Sequence, residues 1–359
     1  MASSTHKVQT LSLTLEMKRT PGVLMPNLLK LSIAACTIIL LSGCSVSPDS
    51  TNSNPATPEA SEEARVELTQ EQITELITSL PEGKTLEALK SHFKAIDEAA
   101  KQLEPFKIEY TTGPTADPAR VEKVVNQFSE KLKMYQFLGL DSLNQDWVLA
   151  SEKDYQWWVD FRSAQDSSFP VEMWNKEINE LGHCRLSPDV FCGAGNTVNG
   201  KNYQDNVVGT AFTNRGIDYV SRHESAHFYQ AVFGYGGRCW MAEGQATFFE
   251  TYLESSSRPR TDVLTRLKAS EIGIADFSES ELLGLLTSDQ ICQPDPNIAY
   301  DLGMLGYEYL YMNFSFLDVH ELQVLSSTEG WDEAVSQVLG IEASELNTAL
   351  AAYMFAETR

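Results

Sequence analysis

The chain has 359 residues, 42% hydrophobic and 10% aromatic, with a formal net charge of -23 at pH 7. That apolar share builds a sizeable core, in one large domain or two modest ones, and carries no collagen-like or coiled-coil bias. The acidity argues against a nucleic-acid partner, which needs a basic surface to meet phosphates.

At the N-terminus, Lys18, Arg19 and Lys30 lead into the apolar run "SIAACTIILLSGCS", too short to span a membrane and closed by small residues around Cys44. Leu41-Ser-Gly-Cys44 resembles the lipobox of a bacterial lipoprotein signal. The resemblance implies cleavage after Gly43, removal of residues 1–43, and lipid on Cys44 as a membrane anchor. Ser45, where an aspartate would retain the protein at the inner membrane, suggests the outer membrane, facing the periplasm or the surface. A plain secretory signal or an N-terminal anchor helix is the alternative, and Met17 is a second candidate start.

Cys36 leaves with the signal, so Cys184, Cys192, Cys239 and Cys292 remain for an oxidising compartment. No pair has the spacing of a zinc knuckle, and two disulfides are expected. Spacing leaves the connectivity open; the favoured arrangement is Cys184–Cys192 with Cys239–Cys292.

Residues 44–65 are rich in Ser, Pro, Asn and Glu and read as a disordered tether, reaching about 25 Å. Residues 66–145 are expected to be helical. Thr69 and Gln72 form a capping-box pattern, and two further runs carry apolar residues at helical spacing. Residues 146–359 form the second region. There "DWVLAS" reads as a strand, "EKDYQWWVDFRSA" as a helix, 192–206 as turn-rich, and "VVGTAF" (207–212) as a strand. Trp157 and Trp158 read as core or interface residues. A helix follows from about Ile217 to Phe233, stopped by Gly234, Gly236 and Gly237, and another starts near Trp240. The rest is helical. The expected class is predominantly helical α+β.

The helix from Ile217 carries "YVSRHESAHFYQ". His223 and His227 are four residues apart, so both imidazoles leave one helix face about 6 Å apart and can reach one ion. Glu224 sits 100° round from His223, placed to reach a water at that ion. Alone, the spacing also suits two core histidines beside a surface glutamate. A catalytic zinc needs three protein ligands and an open position, and Glu243, sixteen residues after His227 on the returning helix, can supply the third.

With Glu243 inside Trp240-Met-Ala-Glu-Gly-Gln-Ala246, the chain resembles the gluzincins, the thermolysin-like and aminopeptidase-like zinc metallopeptidases. The resemblance implies a zincin-like catalytic domain over 146–359 with a small antiparallel or mixed sheet. It implies one zinc ion on His223, His227 and Glu243, with Glu224 as general base for the zinc-bound water. "AYDLGMLGYEYLY" is similar to the helix that supplies an oxyanion-stabilising tyrosine, making Tyr300 the first candidate and Tyr307 the second. Two departures stand out. The position that often holds a carboxylate to orient the first histidine is Thr247, so support must come from Thr247, Glu250 or elsewhere. No strand resembles the motif that reads a free amine, which favours endopeptidase over aminopeptidase.

The expected function is zinc-dependent cleavage of a peptide or protein substrate at the bacterial cell envelope. The alternatives are a non-catalytic envelope lipoprotein using the fold as a scaffold, or a zinc amide hydrolase acting on cell-wall material. Retention of Glu224 speaks against the scaffold. No nucleophile elbow of a serine hydrolase and no phosphate loop is present.

Overall fold

The computed structural model describes residues 68–169, 191–198, 201–208, 214–235, 239–253, 258–270, 273–288 and 296–359. The expected signal, Cys44 and the expected tether lie outside these, as do Cys184, Cys292 and residues 209–212 of the expected "VVGTAF" strand; the side chains of Cys192 and Cys239 do too, and with them the expected disulfide pairing.

Thr69 opens α1 (Gln70–Thr78) with a closed capping box: the Gln72 amide donates to Thr69 Oγ1 at 3.2 Å, and the Thr69 amide to Gln72 Oε1 at 2.8 Å. Thr85 caps α2 (Leu86–Ala100), and Asp117 with Pro118 starts α3 (Pro118–Gln136). Between them runs β1 (Tyr110–Thr112), a short strand within the region expected to be helical over 66–145. Three residues are too few for alternation to register in the sequence.

"DWVLAS" forms β2 (Gln145–Ala150), followed by α4 (Tyr155–Gln165). The stretch read as turn-rich is mostly a hairpin of β3 (Phe191–Val198) and β4 (Lys201–Val208). Asn199-Gly200 between the strands is the hairpin signal that the surrounding glycines and asparagines obscured. The sheet order is β1-β2-β4-β3, with β1, β2 and β4 parallel and only the β3–β4 pair antiparallel. The sheet is therefore mixed, and the antiparallel form of the expectation does not hold. Parallel strands need cover on both faces. Trp147 and Leu149 of β2 point into the main core, whereas Val148 and Ala150 pack with Trp158, Phe169 and Tyr203 beneath α4.

The chain continues through α5 (Asn214–Val232), α6 (Cys239–Leu253), α7 (Arg260–Ala269), α8 (Glu279–Thr287), α9 (Pro296–Asn313), α10 (Phe316–Glu329), α11 (Trp331–Ala334) and α12 (Ala343–Glu357). The predominantly helical α+β class holds. α5 ends where Gly234 adopts φ +66°, a left-handed conformation that glycine takes without a Cβ penalty. One continuous core joins α2 and α3 to α5, α6, α9 and α10. In it Phe93 meets Phe248, Tyr311 and Phe316 edge-on, and Tyr135 stacks on Tyr229 at 4.3 Å. No described helix is long and apolar enough to cross a membrane.

One contact sets the spacing of the later helices. A Cβ on Gly303 would lie 2.4 Å from the Trp240 carbonyl oxygen and 2.7 Å from Gly244 Cα. Helices α6 and α9 thus cross with backbone against backbone, which only glycine permits. Gly244 follows Glu243, and Gly303 lies one turn past Tyr300, so this crossing fixes those two side chains relative to each other.

Candidate metal centre

Helix α5 is central and polar, an unusual combination: every residue from Ser221 to Gln230 is buried. A buried polar side chain costs several kcal/mol unless it is partnered, so the partners reveal how the helix is tolerated. Arg222 donates to Asp97 on α2 at 2.7 Å, anchoring α5 to the N-terminal helices. The two histidines face the other way, toward α6.

There the His223 and His227 Nε2 atoms stand 3.2 Å apart, and Glu243 Oε2 lies 3.3 Å and 3.4 Å from them. Among the described residues this is the group of His, Cys, Asp and Glu arranged to hold a metal ion. The triangle has the dimensions of a metal-ligand set. An ion bound tetrahedrally at about 2.0–2.1 Å keeps its ligand atoms about 3.3–3.4 Å from one another.

The outer ring nitrogens define the inner ones. His223 Nδ1 lies 3.3 Å from Glu250 Oε2, and His227 Nδ1 lies 2.9 Å from Gln230 Oε1. Both partners are acceptors, so both Nδ1 atoms donate, and in neutral rings the lone pairs are on the two Nε2 atoms. Glu243 Oε2 is itself buried without a hydrogen-bond partner. With both rings neutral, three electron-rich atoms converge with no hydrogen between them, an arrangement that a proton or a metal cation resolves.

Charge points the same way. Glu224, Glu243 and Glu250 crowd the cluster, and Arg258 contributes one positive charge, 3.5 Å from Glu250 Oε2. Burial opposes protonation of His223, yet the Glu243 and Glu250 carboxylates push it up to about 10. They raise His227 likewise, Glu243 foremost. Burial also opposes ionisation of Glu243, but His227 and His223 hold its carboxyl well below the usual range. The cluster gathers positive charge, and a divalent cation has the size and charge to supply it. The donor set of two imidazoles and a carboxylate suits zinc.

Glu224 is buried beside the triangle. Burial, then the Glu243 and Glu250 charges, raise its pKa against the pull of the imidazoles. Tyr300, on α9, stacks its ring on His223 at 5.6 Å and 12°, and the Arg258 guanidinium carbon lies 5.7 Å from the Tyr300 ring centroid. Burial, followed by Glu243 and Glu224, raises the pKa of its phenol, so it remains a donor at neutral pH. Tyr307, two turns on, is fully buried and accepts a hydrogen bond from Gln323, in the core behind the cluster. Thr247 Oγ1 lies 3.4 Å from Arg258, and it is Glu250 that stands against the first histidine.

Sequence reasoning passed over Gln230. Its position three residues after His227 is the available signal, since that spacing puts both on one helix face. Gln245, which accepts from the Gln230 amide, and Gln323, which accepts in turn from Gln245, lie on other helices and carry no such signal. A separate shallow cleft, lined by Ser151, Tyr155, Trp158 and Asp205 among others, sits at the ends of β2 and β4 and does not include the histidines.

Comparison with protein-family models, with curated proteins and with solved structures found no match.

Proposed function

We propose that this chain is a zinc-dependent hydrolase of peptide bonds, an endopeptidase similar to the gluzincins, held at the bacterial cell envelope by lipid on Cys44. The observation that carries the reading is the convergence of His223 Nε2, His227 Nε2 and Glu243 Oε2 at 3.2–3.4 Å, with a buried Glu224 beside them. The resemblance to the gluzincins rests on the motif residues, and the geometry supports the metal reading alone.

His223, His227 and Glu243 are the residues that would hold the ion. Zinc in such a site lowers the pKa of a water toward about 7 and polarises a carbonyl. Glu224 takes a proton from the attacking water and returns it to the leaving nitrogen; a carboxyl with raised proton affinity is suited to both halves of that transfer. Tyr300 keeps its proton and donates a hydrogen bond to the oxygen that gains charge as the carbonyl is attacked. Glu250 and Gln230 hold the two imidazoles in the orientation that turns Nε2 inward.

The test is metal analysis of the purified protein beside its Glu224→Gln variant, with a peptide library as substrate. About one zinc per chain in both, and cleavage by the parent alone, is the expected result. A parent without metal would end the reading; metal in the absence of any peptide cleavage would remove the peptidase assignment.

A further inference from the structure

We infer that a buried chain of side-chain amides, Gln230–Gln245–Gln323, positions His227 for metal binding and makes α10 part of the site. The inference rests on the metal reading above.

Gln230 offers Oε1 to His227 Nδ1 at 2.9 Å, while its Nε2 reaches the Ala242 carbonyl oxygen at 3.0 Å and Gln245 Oε1 at 2.8 Å. A backbone carbonyl only accepts, so the Ala242 end must be the NH2 group and the His227 end must be the oxygen. Gln245 then donates to Tyr311 at 2.9 Å and to Gln323 Oε1 at 2.8 Å, and Gln323 donates to Tyr307. Every link runs in one sense: each group donates away from the cluster and accepts from the side nearer to it. Turning over one amide would set carbonyl against carbonyl or NH2 against NH2 in a space closed to bulk solvent, because Gln245 is 0%, Gln323 2% and Gln230 5% exposed.

The polarity of the chain therefore propagates to the imidazole. His227 must donate through Nδ1, leaving its Nε2 lone pair facing His223 and Glu243. Three glutamines from three helices in a core otherwise filled by Phe, Leu and Tyr would be a costly way to fill space. As an orienting device they serve the cluster directly. Gln230 touches a proposed ligand; Gln245 and Gln323 act through it and are positioning residues.

The experiment compares parent, Gln245→Met and Gln323→Met, which keep side-chain length but cut the chain at two depths. Three readouts are taken: the zinc dissociation constant by chelator competition, the melting temperature of the metal-free protein, and solvent exchange of the His227 Nδ1 proton in the Co2+-loaded protein by paramagnetic NMR. Zinc dissociation constants about ten- to a hundredfold higher in Gln245→Met, a smaller rise in Gln323→Met, and faster exchange of that proton in both are expected. A lowered melting temperature with unchanged zinc affinity and unchanged proton exchange would show a merely structural network and overturn the inference. If Gln245→Met does not fold, Gln323→Met alone decides by the same criteria. A parent that binds no zinc overturns the metal reading itself, and is thereby distinguished from failure of the amide chain alone.

Discussion

Glu250 Oε2 stands 3.3 Å from His223 Nδ1, two helical turns beyond Glu243, whose own oxygen faces the opposite nitrogen of the same ring. Residues seven apart share a helix face, so α6 grips His223 from both ends with two carboxylates. Replacing Glu250 by alanine leaves Nδ1 without its acceptor, and zinc affinity is expected to fall about 10–100-fold. Thr247→Ala, at the position expected from sequence to do this work, should change it little. Chelator competition on both variants checks the pair; equal effects would contradict the assignment of Glu250.

Tyr300→Phe removes one hydroxyl and keeps the ring on His223. If that hydroxyl stabilises the developing oxyanion, kcat should drop about 10²–10³-fold with KM and zinc content nearly unchanged. Steady-state kinetics on a cleaved peptide measures this. A change confined to KM would make Tyr300 a substrate-binding residue instead.

Gly303→Ala places a methyl group against the backbone of α6 at 2.4 Å and 2.7 Å, where no flexible side chain can yield. The helices must part, at a cost of about 3 kcal/mol in urea unfolding. Because Gly244 adjoins Glu243, zinc affinity should weaken as well. Gly284→Ala is the control: a Cβ there meets nothing, and no loss is expected. Wild-type stability in Gly303→Ala would refute the close crossing.

His320 on α10 receives the Tyr229 hydroxyl at Nδ1, 2.5 Å away, with the Tyr235 hydroxyl at 2.6 Å. Burial lowers its pKa to about 4. The unfolded chain, with a histidine pKa near 6.5, binds more protons through this window, so stability is present above about pH 6.5 and is lost as pH falls toward 4. Between pH 7 and pH 5 this group should remove about 2 kcal/mol. Urea midpoints of parent and His320→Gln across that range test it; parallel pH curves would assign the acid sensitivity elsewhere.

Much of the candidate site was legible because it is local. Four-residue spacing on one helix fixes the His223–His227 pair, a neighbouring position fixes Glu224, and Gly234 and Trp240 mark the turn that brings Glu243 back. The mixed sheet was harder to read. β1 is three residues long, and the hairpin of β3 and β4 is polar along much of its length, with Tyr203, Gln204, Asp205 and Asn206 all buried. Its alternation therefore carries little hydrophobic contrast, and the Asn-Gly turn alone announced it.

By itself the sequence determined which atoms could act together along one helix: two imidazoles on one face and a carboxylate a step away. Those follow from the 3.6-residue period and from short-range chemistry. Only the tertiary structure decided which of Thr247 and Glu250 meets His223, which of Tyr300 and Tyr307 meets the cluster, and that Gln230, Gln245 and Gln323 align behind His227. Each depends on the angle and separation at which helices cross, and here that is set by glycine backbones in contact, a relation between residues 244 and 303 that no local pattern encodes.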